Sequence, residues 1–152
     1  METDTVRDVL HWSTRFHTTL AQSLQKSKAG AMGERERLLM NYLSEHEQFL
    51  ADNYQRYQRD AEIKVLNTWS YDCSKAFPKT WLQQGQAPFG DMTSQQIMEN
   101  IEAQHNALID FYQHLKRQAH ITEVVAVLDQ LIEMEQSEAS VMNEASNRLE
   151  DL

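Results

Sequence analysis

Residues 94–117, SQQIMENIEAQHNALIDFYQHLKR, decide the fold class of this 152-residue chain. Apolar and aromatic side chains recur in this stretch at spacings of three and four, which places them on one face of a helix. The face consists of Ile97, Ile101, Leu108, Tyr112 and Leu115, with His105 at its midpoint. Thr93, followed three residues later by Gln96, is typical of a capping box at a helix N-terminus. The stretch therefore predicts a helix that begins near Thr93 and buries one face.

Three further segments, about 5–28, 34–61 and 122–149, show the same periodicity. The stripe of the second segment consists of Leu39, Leu43, His46, Leu50, Asn53 and Tyr57. Gly30 and Gly33 are expected to end the first helix, because glycine readily takes the left-handed conformation found at helix C-termini. A short turn near residues 119–121 makes the last two helices antiparallel neighbours.

The connection between the second and third helices is much longer. Residues 62–92 contain Pro78, Gly85, Pro88 and Gly90 together with scattered aromatic residues. A helix of about 25 residues is roughly 37 Å long at 1.5 Å per residue, so this connection can return along a whole helix. Short, long and short connections predict an all-α four-helix bundle with one long crossover between helices 2 and 3. We expect a single domain over residues 1–152.

Charge and composition exclude several classes of partner. The chain has 23 acidic and 14 basic residues, and its formal charge of −9 repels a phosphate backbone, so no nucleic acid is expected. Its apolar runs fall short of the roughly 20 residues that span a bilayer, so no membrane partner is expected. The acidic N-terminus is unlike a signal peptide, and Cys73 is the sole cysteine. These features favour a cytoplasmic protein.

Each predicted stripe carries a His or Glu near its midpoint, where an apolar side chain is expected. The five residues are His17, His46, His105, Glu135 and Glu138. The midpoints of neighbouring helices share one level of a bundle, so we expect these side chains to converge on one buried layer. Two buried carboxylates would repel each other, whereas a divalent cation bound with neutral imidazoles removes that conflict. The five residues are therefore candidate ligands of a transition-metal ion.

A buried network without metal is the alternative interpretation. Imidazolium beside carboxylate satisfies both groups, and Tyr42, Asn106 or Tyr112 can supply further hydrogen bonds. Spacing alone does not separate the two interpretations. Glu45 and Glu47 are expected to lie on a solvated face of the second helix.

The predicted helices and crossover resemble the ferritin-like superfamily, in particular rubrerythrin-like domains, over nearly the whole chain. That family has a Glu on helix one, Glu-x-x-His on helix two, a Glu on helix three and Glu-x-x-His on helix four. The segment from His105 to Tyr112 is similar to the family's stretch from Glu to Phe-Tyr, with His105 at the position of the Glu. Helix one has His17 on its stripe and lacks the Glu.

The Glu-x-x-His motifs are altered on both remaining helices. On helix two, the segment Leu43-Ser44-Glu45-His46 keeps the His and has Leu43 in place of the Glu. On helix four, Glu135 keeps the first position, and Glu138 stands in place of the His. Two carboxylates would leave a net charge of about +2 on a pair of divalent ions, which is costly to bury. One metal ion is therefore expected rather than two.

The resemblance implies one Fe or Mn ion, with Zn as a further candidate, and redox or peroxide chemistry. The loss of motif residues supports a different hypothesis, a non-enzymatic helical scaffold or interaction module whose ancestral metal site has been lost, with no ion bound. The resemblance also implies a homodimer under either hypothesis, because ferritin-like bundles often pair. The sequence does not identify a protein partner.

Overall fold

Five α-helices account for most of the structure. The computed structural model describes residues 4–68, 77–78 and 88–150. The helices are α1 (Val6–Ser27), α2 (Glu34–Asp60), α3 (Ile63–Leu66), α4 (Ser94–Gln118) and α5 (Thr122–Glu150), with single 3₁₀ turns at Lys28–Gly30 and Pro88–Asp91. No β-strand occurs among these described residues. The all-α prediction is therefore confirmed.

Local sequence explains where the helices begin. Thr93 and Gln96 form the expected capping box of α4: the Gln96 amide donates to Thr93 Oγ1 at 3.2 Å, and the Thr93 amide donates to Gln96 Oε1 at 2.9 Å. Thr5 and Asp8 form an equivalent box at α1. The predicted left-handed role of Gly30 and Gly33 at the end of α1 was wrong, because neither residue has a positive φ. Gly30 belongs to the 3₁₀ turn that follows α1, and Gly33 has an extended backbone (φ −163°) and is the N-cap of α2.

The two ends of the long connection between α2 and α4 contact opposite ends of α1. At its beginning, the Val6 amide donates to the Thr68 carbonyl at 3.4 Å. At its end, the Phe89 amide donates to Ser27 Oγ at 3.2 Å. Val6 and Ser27 are the first and last residues of α1, so the two ends of the connection between α2 and α4 lie at opposite ends of that helix. The predictions for residues 69–76 and 79–87, which include Cys73 and most of the crossover aromatics, lie outside the described residues.

Contacts in the core fix the directions of the helices. Glu47 on α2 contacts His105 on α4, and seven residues further along each helix Tyr54 contacts Tyr112. The helices α2 and α4 therefore run in the same direction. Ser13, four residues before His17, contacts Tyr112, seven residues after His105, so α1 and α4 are antiparallel.

The two long hairpins, α1–α2 and α4–α5, have nearly the same burial pattern at an offset of 88 residues, which is the separation of His105 from His17 and of Glu135 from Glu47. Each buried residue of α4 lies 88 positions after a buried residue of α1. Equivalent positions of the two hairpins therefore face the core, which gives the core an approximate internal two-fold symmetry. The symmetry relates the polar residues at the centre of the bundle as well as the apolar ones.

The four long helices share one apolar core. Its fully buried members include Leu10, Leu43, Leu108 and Leu131, one from each long helix. Within the described residues, no helix combines the length and apolar character that a membrane span requires. At one level of this core, apolar packing gives way to charged side chains.

Candidate metal centre

Four charged side chains, one from each long helix, form a closed ring in the core. His17 Nδ1 lies 2.6 Å from Glu47 Oε2, and His17 Nε2 lies 2.6 Å from Glu135 Oε1. His105 Nδ1 lies 2.9 Å from Glu135 Oε2, and His105 Nε2 contacts Glu47 Oε1. We call these four residues the central quartet. Every imidazole nitrogen in the quartet faces a carboxylate oxygen, and every carboxylate oxygen faces a nitrogen.

The quartet follows the internal two-fold symmetry of the bundle. Each histidine directs Nδ1 toward the glutamate of its own hairpin, 30 residues further along the chain. Each directs Nε2 toward the glutamate of the other hairpin. The four contacts therefore join both hairpins, and they hold all four long helices at one level.

The quartet is removed from solvent. The side chains of His17, Glu47 and Glu135 are 0% exposed, and that of His105 is 1% exposed. Charged groups that deep are stable only when they are paired and hydrogen-bonded. When both glutamates are ionised, each ring nitrogen must donate a hydrogen to the carboxylate oxygen that it faces, so the metal-free ring then contains two imidazolium ions and two carboxylates. Its net charge is then zero.

Electrostatics favour those charged forms. Burial by itself lowers the pKa of His17, but the charges and hydrogen bonds of Glu135 and Glu47 outweigh it and raise the pKa to about 9. The pKa of His105 also lies well above its ordinary value, because Glu47 and Glu135 overcome the opposing effect of burial. Burial raises the pKa of each glutamate, yet the two histidines lower the pKa of both Glu47 and Glu135 below the ordinary value.

Two tyrosines and a serine extend the network from Glu135. Tyr54 Oη donates to Glu135 Oε1 at 2.6 Å, so Tyr112 must be the donor in the 2.8 Å contact between the two phenols. Ser13 Oγ lies 2.5 Å from Tyr112 Oη. Burial and the charge of Glu135 raise the pKa of both phenols well above the ordinary value, which keeps them neutral. The chain of hydroxyls fixes the orientation of the Glu135 carboxylate.

Three members of the quartet could hold a metal ion. His17, His105 and Glu135 each offer one ligand atom, and these atoms lie within 4.8 Å of one another. The nitrogens that face Glu135 are Nε2 of His17 and Nδ1 of His105. Two imidazoles and a carboxylate suit divalent Fe, Mn or Zn.

The five residues predicted as one layer fall into two groups. His17, His105 and Glu135 come together as expected. His46 and Glu138 contact each other through Nδ1 and Oε1, and their side chains are 24% and 11% exposed. We call them the outer pair. No hydrogen bond or ion pair within the described parts of the chain joins the outer pair to the central quartet.

Sequence reasoning missed Glu47. It was expected on a solvated face, whereas its side chain is 0% exposed and accepts from both histidines. The buried face of α2 runs through Leu43, Glu47, Leu50 and Tyr54, so the predicted stripe through His46 was displaced by one residue at its centre. A step of three from Leu43 reaches His46 and a step of four reaches Glu47, and helical periodicity permits both. The equal 30-residue separations of Glu47 from His17 and of Glu135 from His105 were the signal that distinguishes them.

Comparison with known proteins does not assign a role to this site. The chain matches no protein-family model, and neither a curated protein nor a solved structure shows significant similarity to it.

Proposed function

We propose that this chain is a ferritin-like metal-binding protein that holds one Fe or Mn ion at the central quartet. The observation that carries the proposal is the buried group of His17, His105 and Glu135, whose ligand atoms lie within 4.8 Å of one another. In the proposed centre, His17 Nε2, His105 Nδ1 and a Glu135 oxygen bind the ion. An ion held there by these three ligands would supply the redox or peroxide chemistry that the resemblance implies.

Glu47 is assigned a supporting role on the far side of both imidazoles. It faces His17 Nδ1 and His105 Nε2, the nitrogens that do not face Glu135. Histidine ligands usually donate their second N–H to a carboxylate, which fixes ring orientation and raises ligand basicity. One carboxylate performs this function for both histidines here.

Charge balance supports a single divalent ion. Two neutral histidines, Glu47, Glu135 and one divalent cation sum to zero, as the metal-free ring does with two imidazolium ions. A second divalent cation would leave an excess charge of +2 in a site that is 0–1% exposed. Such an excess is strongly unfavourable in the protein interior.

The pattern of residues also supports the ferritin-like assignment. Each long helix contributes one His or Glu at the same level. Since the buried glutamate of α2 is Glu47, the helix-two motif shifts from the predicted Leu43–His46 to Glu47-x-x-Leu50, which has the first Glu and lacks the His. Histidines replace the carboxylates of helices one and three, which reduces the negative charge and fits one ion rather than two. Redox or peroxide chemistry at that ion is the function we propose for the site.

Metal titration of defined variants tests the proposal. Chelator-treated protein is titrated anaerobically with Fe²⁺ or Mn²⁺, and the bound ion is counted by elemental analysis. We expect about one ion per chain, loss of binding in Glu135→Gln, and affinity reduced about 10–100-fold in Glu47→Gln. His114→Ala is the matched control, because His114 is exposed on the same helix as His105. Absence of binding to folded wild-type protein would contradict the proposal.

A structural role is the second candidate function. It is favoured by the ring itself, in which each of the four nitrogens faces one of the four carboxylate oxygens. Under this hypothesis the quartet fixes helix register in a non-enzymatic scaffold. Simultaneous replacement of all four residues by apolar ones of similar volume would then preserve folding and oligomeric state. The metal hypothesis predicts that the same replacement abolishes ion binding.

A further inference from the structure

The outer pair lies beside the central quartet on the side where α2 and α5 meet. His46 directly precedes Glu47 on α2, and Glu138 follows Glu135 by one helical turn on α5. The contact between His46 and Glu138 therefore joins α2 to α5 next to the central quartet. Histidine and glutamate side chains thus occur at two neighbouring sites, the buried central quartet and the partly exposed outer pair.

A groove that is open to solvent reaches Glu138, one member of the outer pair. It has a volume of about 400 Å³, and both helices line it. Glu138 forms part of its wall together with Leu50, Asn53, Tyr57, Met134 and Ser137. Leu50 is 1% exposed and lies one turn after Glu47, so the inner wall of the groove adjoins the quartet.

The outer pair has ligand atoms that a cation can use. The ring of Tyr42 packs on His46 with a centroid separation of 4.3 Å, which holds the imidazole in place. Within the described segments, His46 Nε2 takes part in no hydrogen bond, since the pair's contact uses Nδ1. An imidazole nitrogen and a carboxylate at a partly exposed position can replace water ligands of a hydrated divalent ion one at a time.

We propose that His46 and Glu138 form an outer cation site through which a divalent transition-metal ion passes from the α2–α5 groove to the central quartet. This inference rests on the proposed function, because the ion is the one that the quartet binds. The physical need is clear: the quartet is 0–1% exposed, and a hydrated ion must lose its water ligands before it reaches Glu135. Glu138 and Glu135, on one face of α5, offer carboxylates in succession along that route.

The inference predicts an effect on rate that is separate from affinity. Co²⁺ serves as the probe, because its ligand-field absorption reports binding to nitrogen and oxygen ligands. Stopped-flow mixing with full-length His46→Gln/Glu138→Gln protein should show an association rate at least ten-fold below wild type, with one ion still bound at equilibrium. Glu45→Gln is the matched control: Glu45 is exposed beside His46, and its replacement removes the same charge as Glu138→Gln. The control should retain the wild-type rate.

The outcomes separate this inference from the proposed function. An unchanged association rate in the double variant, with wild-type stoichiometry, overturns the outer site and leaves the central one intact. A lower stoichiometry in the double variant also overturns it, because the pair would then be permanent ligands. If wild-type protein binds no Co²⁺, Fe²⁺ or Mn²⁺, both proposals fail together. Circular dichroism of each variant confirms that the comparison is made on folded protein.

Discussion

The central quartet and the outer pair use the same two residue types in very different surroundings. In the quartet, each histidine contacts two glutamates and the side chains are at most 1% exposed. In the outer pair, one histidine contacts one glutamate, and the side chains are 24% and 11% exposed. Water can therefore substitute for a lost partner at the outer pair but not in the quartet. The depth of the site, rather than the residue types alone, determines the consequences of substitution.

The largest expected effect is the loss of one charge from the quartet. Glu135→Gln leaves an uncompensated imidazolium in the core, and breaking a buried ion pair in this way costs about 3–5 kcal/mol. We expect the free energy of unfolding of the metal-free protein, measured by urea denaturation, to fall by that amount. The control is Glu144→Gln, which removes an exposed charge from the same helix and should change stability by less than about 0.5 kcal/mol. Equal effects of the two substitutions would contradict the account.

The pH dependence of stability should be nearly as large. The pKa of His17 is about 9, against an ordinary value of 6.5, and this difference corresponds to a stabilisation of the folded state on the order of 3 kcal/mol. Because the pKa is raised in the folded state, this stabilisation is complete below pH 6.5 and is lost as the pH rises through about 9. The lowered pKa values of Glu47 and Glu135 add stability above pH 4.5 that is lost in more acidic solution.

Metal-free protein should therefore be most stable between about pH 4.5 and 6.5. Urea midpoints measured from pH 4 to 9.5 test this expectation. The quadruple apolar variant at positions 17, 47, 105 and 135 is the control and should lose most of the dependence above pH 6.5. A wild-type profile that is flat between pH 6.5 and 9 would rule out a charged quartet.

A smaller effect is expected from the tyrosine that supports Glu135. Tyr54→Phe removes the hydroxyl that donates to Glu135 at 2.6 Å and leaves the ring in place. A hydrogen bond to a charged group contributes about 1.5–3 kcal/mol, so the free energy of unfolding should decrease within that range. Tyr57→Phe on the same helix is a suitable control, because the Tyr57 ring is only partly buried and lies outside the network. If both variants were equally stable, Tyr54 would not support the quartet.

The smallest stability effect is expected at the outer pair. His46→Gln should reduce the free energy of unfolding by less than about 1 kcal/mol, since partly exposed ion pairs contribute little. Thermal or urea denaturation of His46→Gln and of His105→Gln, the same substitution in the quartet, measures the difference in stability directly. A loss of 3 kcal/mol or more in His46→Gln would mean that the two sites are energetically alike.

The sequence was sufficient to predict the helices and much of the quartet. The periodicity around His105 and the capping box at Thr93 have local causes, so both were recognisable without a structure. His17, His105 and Glu135 were identifiable as polar interruptions of apolar stripes.

The partners of these residues could not be predicted from local rules. Glu47 and His46 are adjacent on a helix, and both fit a stripe that includes Leu43, so only packing against the other helices decides which is buried. The ring of contacts is a tertiary property, because it depends on the level at which α2 and α5 face each other. The homodimer and the cytoplasmic localisation stay predictions, since they depend on surfaces and sorting that the bundle core does not determine.

The most direct test of the central claim is to count metal ions and released protons in one titration. Metal-free protein at pH 6 in dilute buffer is titrated anaerobically with Mn²⁺ or Fe²⁺ while a pH indicator records protons. One bound ion should release about two protons, one from each imidazolium, and His105→Gln should abolish both signals whereas His114→Ala should not. Folded protein that takes up no ion, or that takes up an ion equally well in His105→Gln, would show that the quartet is a structural network and not a metal centre.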